Sequence, residues 1–180
     1  DLMGGTIFVE SKKGVGSTFT IELPMEITDP FEVRKKDYVV GNVDLTGLKI
    51  LLAEDNDLNA EIACELLEEK GILVERAEDG QVCCDRLIEA ADGYYDLILM
   101  DIQMPNMDGY RATEMIRGLS DKSKATIPII AMTANAFQED KQKALSEGMD
   151  SHVAKPLNVD VLMAVLRETL QKKEQEEAKC

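Results

Sequence analysis

The 180-residue chain has no tryptophan, four phenylalanines, four tyrosines and one histidine. Any core must therefore be filled by aliphatic side chains and by the nine methionines, whose flexible thioethers fill irregular gaps. Basic residues are also scarce, 20 Lys and Arg against 35 Asp and Glu, for a formal net charge of -15. This excludes a nucleic-acid binder, because gripping a phosphate backbone takes clustered cations. Metal cations and basic protein patches are better matched partners. The four cysteines, Cys64, Cys83, Cys84 and Cys180, follow neither a disulfide framework nor a zinc-site spacing. They read as reduced, mostly buried thiols of a cytoplasmic protein. No apolar run approaches the roughly 20 residues of a spanning helix, and the start lacks a basic-then-apolar signal region, so no membrane segment is expected. A chain that begins on Asp1 also reads as an excerpt of something longer.

What is present is enough for a folded protein. Hydrophobic residues make up 44% and charged residues 31%, values of a globular chain and not of a disordered one. The length suits one domain with appendages, or two small ones. Residues 1–24 alternate as a hairpin, Thr6-Ile7-Phe8-Val9-Glu10 and Ser17-Thr18-Phe19-Thr20-Ile21-Glu22-Leu23, joined through Lys12-Lys13-Gly14-Val15-Gly16. Two strands alone are marginal in water, so the hairpin needs a support. Residues 25–47 lose all periodicity and read as a linker. From Leu48 onward, buried strand and amphipathic helix alternate five times, ending near residue 172 in a charged tail, 173–180.

The expected strands are Lys49–Ala53, Ile72–Val74, Tyr95–Asp101, Ile127–Met132 and Ser151–Ala154. The helix after the first carries Leu58, Ile62, Ala63, Leu66 and Leu67 on its apolar face, and residues 121–124 read as a polar loop. Five such units with short connections imply an α/β fold: a five-stranded parallel sheet wound on both faces by right-handed crossovers. No GxGxxG follows the first strand, which argues against a dinucleotide site.

Tyr95-Asp96-Leu97-Ile98-Leu99-Met100-Asp101 is an apolar run that ends on an acid. By itself this reads equally as a nucleophile at a sheet edge or as an acid capping a loop. Its neighbours decide. In a parallel sheet the carboxyl ends of the strands gather at one edge, bringing together Glu54 and Asp55, Asp101, Thr133 and Lys155. Three crowded carboxylates repel unless a cation sits among them. Mg²⁺ suits Asp55 and Asp101, with Glu54 positioning its waters, whereas zinc would want His or Cys ligands. With a hydroxyl and an ammonium added, the set becomes a phosphoryl site in which Asp101 attacks phosphorus to form an acyl phosphate. The small Ala134 leaves the approach open. Asp108-Gly109 is taken as a turn.

The motifs Leu52-Ala53-Glu54-Asp55-Asn56, Leu99-Met100-Asp101-Ile102-Gln103-Met104-Pro105-Asn106-Met107-Asp108-Gly109, Met132-Thr133-Ala134-Asn135 and Ala154-Lys155-Pro156 closely resemble those of two-component response-regulator receiver domains over residues 48–172. The hairpin, with Gly16-Ser17-Thr18-Phe19 as a last small-residue box, resembles the end of the ATP-binding domain of sensor histidine kinases. Its asparagine box and main glycine-rich boxes are missing, so no ATP binding is expected. Together they resemble the C-terminal receiver of a hybrid sensor histidine kinase. The resemblance implies a flavodoxin-like strand order of 2-1-3-4-5 and Mg²⁺, or Mn²⁺ in its place, on Glu54, Asp55, Asp101 and the Gln103 carbonyl.

It also implies transfer of phosphate to Asp101 from a phosphohistidine of a kinase or His-phosphotransfer domain, a cis Lys155-Pro156 peptide, and Thr133 as a switch that moves with an aromatic on the fifth strand. His152 stands there in place of the usual Tyr or Phe. It is either the aromatic half of that switch or a strand-edge histidine with no duty, and it is a poor phosphodonor. Gln103 and Asn135 are expected to tune the phosphate's lifetime. The face made by the fourth helix, fifth strand and fifth helix of this unit should report the change and offers a dimer surface. Such a domain catalyses only its own phosphorylation and dephosphorylation, although the parent resembles a phosphotransferase and admits a membrane anchor. Two alternatives compete, a Mg²⁺-dependent small-molecule phosphohydrolase and a phosphorylation-independent docking module. The hydrolase is disfavoured by Gln103, where dehalogenase-type enzymes carry a second aspartate.

Overall fold

The computed structural model describes residues 4–24, 43–134 and 138–177. The chain divides into two compact units, one holding the hairpin and one holding everything from residue 43 on. In the first, β1 (Thr6–Lys12) and β2 (Gly16–Glu22) pair antiparallel with Val9 opposite Phe19 and Ile7 opposite Ile21, as their alternation predicts. These four apolar side chains share one face of the ribbon, and all four are exposed.

In the second unit, β3 (Lys49–Ala53), β4 (Leu73–Ala77), β5 (Leu97–Asp101), β6 (Ile129–Thr133) and β7 (Ser151–Ala154) form one parallel sheet ordered β4-β3-β5-β6-β7. This is the expected 2-1-3-4-5 winding. The middle strands β5 and β6 are buried along their whole length, which explains their unbroken apolar runs: helices cover both faces. Each fully buried Leu or Ile side chain there contributes about 1.5–3 kcal/mol. Two apolar clusters result, one on each side of the sheet. Leu51, Ile98, Met100 and Ile129 anchor one, and Ile50, Leu52, Leu97, Leu99 and Ile130 anchor the other.

The helices are α1 (Asp57–Glu68), α2 (Gly80–Glu89), α3 (Gly109–Arg117), α4 (Lys122–Ala125), α5 (Gln138–Ser146) and α6 (Val159–Glu177). Side-chain caps set several starts: Asn56 accepts from the Asn59 amide, Asp79 from Val82 and Asp108 from Arg111. Asp108 is thus the cap of α3 and not merely part of a turn. The segment 121–124, expected as loop, runs into the one-turn helix α4 (Lys122–Ala125), started by the Asp121 carboxylate accepting from Ser123.

The apolar face of α1 is also narrower than periodicity implied. Ala60, Ala63 and Leu67 are buried, while Leu58 is 64% and Ile62 45% exposed. Helix α6 continues through residues expected to fray, because Leu162, Val165, Leu166 and Thr169 bury its first half and give the polar remainder a helix to extend. Residues ahead of Leu48 also take part: Leu45 is buried in the second cluster, and the Gly47 amide donates to the Gly71 carbonyl. Residues 25–42 of the expected linker, with Asn135 and Cys180, lie outside the described residues. Cys83 and Cys84 are buried free thiols, and loss of solvation raises both pKa values, that of Cys84 to about 11. Among the described residues, no helix is long and apolar enough to cross a membrane.

Candidate functional site

The carboxyl ends of β3, β5, β6 and β7 open into one crevice. Its lining includes Glu54, Asp55, Asp101, Gln103, Thr133 and Lys155. Each residue arrives for a local reason. Glu54 and Asp55 follow the last buried residue of β3, where the chain must turn toward the Asn56 cap of α1. Arg76 secures this turn from β4, donating Nε to the Glu54 carbonyl at 3.0 Å and Nη2 to the Asp55 carbonyl at 3.0 Å. Asp101 ends β5, and its Oδ1 accepts the Gln103 amide at 3.2 Å. Thr133 ends β6, and its carbonyl accepts the Lys155 amide at 2.7 Å, which places the lysine one strand over. The Lys155-Pro156 peptide is cis, as expected.

Carboxylate oxygens of Glu54, Asp55 and Asp101 lie within 4.8 Å of one another. Glu54 and Asp101 are buried, at 1% and 6% exposure, while Asp55 faces solvent. The Lys155 ammonium bridges the two buried acids, at 2.5 Å from Glu54 Oε2 and 2.6 Å from Asp101 Oδ2. Glu54 Oε1 accepts from Asn59 Nδ2 at 3.1 Å, which leaves that carboxylate oriented by groups on both sides. Burial pushes the Asp101 carboxyl above its usual pKa, and the Glu54 charge adds to this against the pull of Lys155. Burial also opposes charge on Lys155, but its bonds to Asp101 and Glu54 win and hold it above the ordinary lysine value. Three acids facing a single bridging ammonium leave negative charge uncompensated. That donor set, all oxygen and partly open to solvent, fits Mg²⁺.

The structure brings together the predicted Glu54, Asp55, Asp101, Gln103, Thr133 and Lys155. His152 lies apart on β7, half-buried and paired in register with Ala131. Several residues that position the site were missed. Gly109 is one: a Cβ there would strike the Asp101 carbonyl and crowd Met100, so the helix α3 can pass beneath the acid only with glycine. Asp79 and Asn106 are another pair. Asn106, the one non-glycine residue with positive φ among those described, donates Nδ2 to Asp79 Oδ2 at 2.9 Å and ties the loop after β5 to the start of α2. An acid capping α2 was legible; its long-range partner was not.

The family model for the response regulator receiver domain matches residues 50–167. The aerobic respiration control sensor protein ArcB of Escherichia coli is 34% identical over 181 residues, a match that takes in 98% of this chain and 22% of that protein. The chain therefore spans about a fifth of the length of this relative. Among solved structures, the receiver domain of a sensor histidine kinase from Pseudomonas aeruginosa is 36% identical, with a TM-score of 0.62 over 70% of this chain and 99% of that one. It carries a magnesium ion coordinated in its active site cleft. The receiver domain of a Saccharomyces cerevisiae response regulator, solved with a histidine phosphotransfer protein, is 32% identical with a TM-score of 0.58 over 66% of this chain and 86% of that one. The chain belongs to the response regulator receiver domain family.

Proposed function

We propose that Asp101 is the phosphoacceptor and that the crevice catalyses transfer of a phosphoryl group to it from a phosphohistidine. The carrying observation is the buried Asp101 carboxylate under the Lys155 ammonium with Glu54 and Asp55 alongside. An Asp101 oxygen forms the new P–O bond while the P–N bond of the donor imidazole breaks, and the imidazole leaves with the electron pair and takes up a proton. Lys155 and the Thr133 hydroxyl balance charge on the phosphoryl oxygens. Glu54, Asp55, Asp101 and the Gln103 carbonyl would hold Mg²⁺, which supplies further charge neutralisation on the phosphoryl group when bound. Mn²⁺ presents the same preference for oxygen ligands.

Thr133 at the end of β6 and His152 on the adjacent β7 form the switch in this reading, and they report to the face made by α5, β7 and α6. That face also serves a dimer or a downstream partner. Gln103, which lines the crevice, and Asn135 set how long the acyl phosphate lasts. The phosphodonor is a His-phosphotransfer protein or kinase helix, in keeping with the yeast neighbour's complex. The hairpin is the closing hairpin of a kinase ATP-binding domain, since the ArcB match runs through it. Reduced thiols match a cytoplasmic site of action.

Incubation with Mg²⁺ and acetyl phosphate should add one acid-stable, base-labile phosphoryl group by intact mass, absent in Asp101→Asn. Followed over time, the adduct should decay at altered rates in Gln103 and Asn135 variants. Multiple turnover without an adduct would instead favour a hydrolase. No reaction would favour a docking module.

A further inference from the structure

Lys155 and Lys143 are the ammonium groups that line the crevice among the described residues. Lys155 is consumed by Glu54 and Asp101. Lys143, exposed on α5, rests over the Tyr110 ring at 4.4 Å from its centroid. Tyr110 is the second residue of α3, directly after the glycine that packs against the Asp101 carbonyl, so the ring has a fixed relation to the acceptor. An ammonium on a ring face is held loosely in water and can swing toward an anion. The incoming donor is that anion. It approaches a chain of net charge -15 and a crevice walled by three carboxylates, a field that repels it.

We propose that Lys143, seated on Tyr110 at the rim, is a positioning residue that draws the anionic phosphodonor toward Asp101. This rests on Asp101 being the acceptor. Because the same positive charge opposes a metal cation, its removal should slow uptake from the donor without weakening metal binding. A purely structural role cannot do that, since loosening the crevice would weaken both.

The test uses the full chain, with acetyl phosphate as the donor and intact mass as the readout of the Asp101 adduct. At low ionic strength Lys143→Gln should slow labelling about threefold to tenfold. Lys143→Glu should slow it more, and Lys143→Arg should keep the parent rate. The gap should close as salt approaches about 0.5 M, where screening shortens the reach of the charge. Calorimetric titration with Mg²⁺ should show unchanged or tighter binding in Lys143→Gln. Labelling of Lys143→Gln at the parent rate in low salt overturns the inference while leaving the acceptor reading intact. Slower labelling joined to weaker Mg²⁺ binding also overturns it, by making the residue structural. A parent chain that forms no adduct removes the acceptor reading and this inference together.

Discussion

Lys155→Met is expected to slow phosphoryl uptake at Asp101 about a hundredfold while tightening Mg²⁺ binding. The ammonium lies 2.5 Å from Glu54 and 2.6 Å from Asp101, so its loss leaves two buried acids and the neighbouring Asp55 with no cation between them. Repulsion among them grows. A bound divalent ion relieves it better than in the parent, which raises metal affinity. Phosphoryl oxygens arriving at Asp101, however, lose the positive charge that would neutralise them in transfer. Methionine keeps the length and apolar stem of lysine, so packing changes little. Rates come from a mass time course with acetyl phosphate, and affinity from calorimetry; a variant that labels at the parent rate would remove Lys155 from the chemistry.

The acidity of the site follows the same balance. Burial raises the folded-state pKa of Asp101, so its protonated form favours the metal-free fold fully only below the ordinary carboxylate pKa. That contribution fades as pH rises through the raised folded value. Labelling should follow the opposite course, falling with acidification as the attacking carboxylate is lost.

Arg117→Met should destabilise the receiver unit by about 2–4 kcal/mol. Its guanidinium is mostly shielded and ties α3 to two stretches of the chain, 125–127 and 148–150. Nε donates to the Gly148 carbonyl at 2.9 Å, Nη1 to Ala125 at 2.7 Å and Ile127 at 2.8 Å, and Nη2 pairs with Asp150 at 2.8 Å. Asp150 in turn accepts the Ile129 amide at 2.7 Å, at the start of β6. Removing the fork leaves three carbonyls and a carboxylate without their donor. Urea unfolding measures the loss. The conservative variant Arg117→Lys should recover only part of it, since one ammonium cannot reach four acceptors at these angles. A change within about 0.5 kcal/mol, the range of an ordinary surface substitution, would show that water satisfies these groups equally well.

The sheet was legible because its strands are buried on both faces, and unbroken runs such as Leu97-Ile98-Leu99-Met100 leave few alternatives. The site was legible because parallel winding sends the ends of β3, β5, β6 and β7 to one edge, so the residues after each run could be collected without coordinates. Helix faces were less so. Leu58 and Ile62 fit a 3.6-residue period with Leu66, yet α1 buries the stripe through Ala60, Ala63 and Leu67, because small residues let the helix sit close on the sheet. Helix α4 was missed since one turn shows no period, although Asp121 ahead of it is an ordinary cap. The contacts of Arg117 with Gly148, Asn106 with Asp79, and Lys143 with Tyr110 each join residues far apart in the chain, and no local pattern marks such pairs. His152, expected on the fifth strand either as the aromatic half of the switch or as a strand-edge histidine with no duty, does lie on β7.

If Asp101 is the acceptor, the phosphoryl group resides on its carboxylate. Borohydride reduction of the acetyl phosphate-treated chain cleaves an acyl phosphate and converts its aspartate to homoserine, which peptide mass mapping can place. The expected result is homoserine at position 101 alone, dependent on Mg²⁺ and on prior phosphorylation. Homoserine at Asp55 or another acid, or a phosphoryl group that resists reduction and maps to a hydroxyl or to His152, would contradict it.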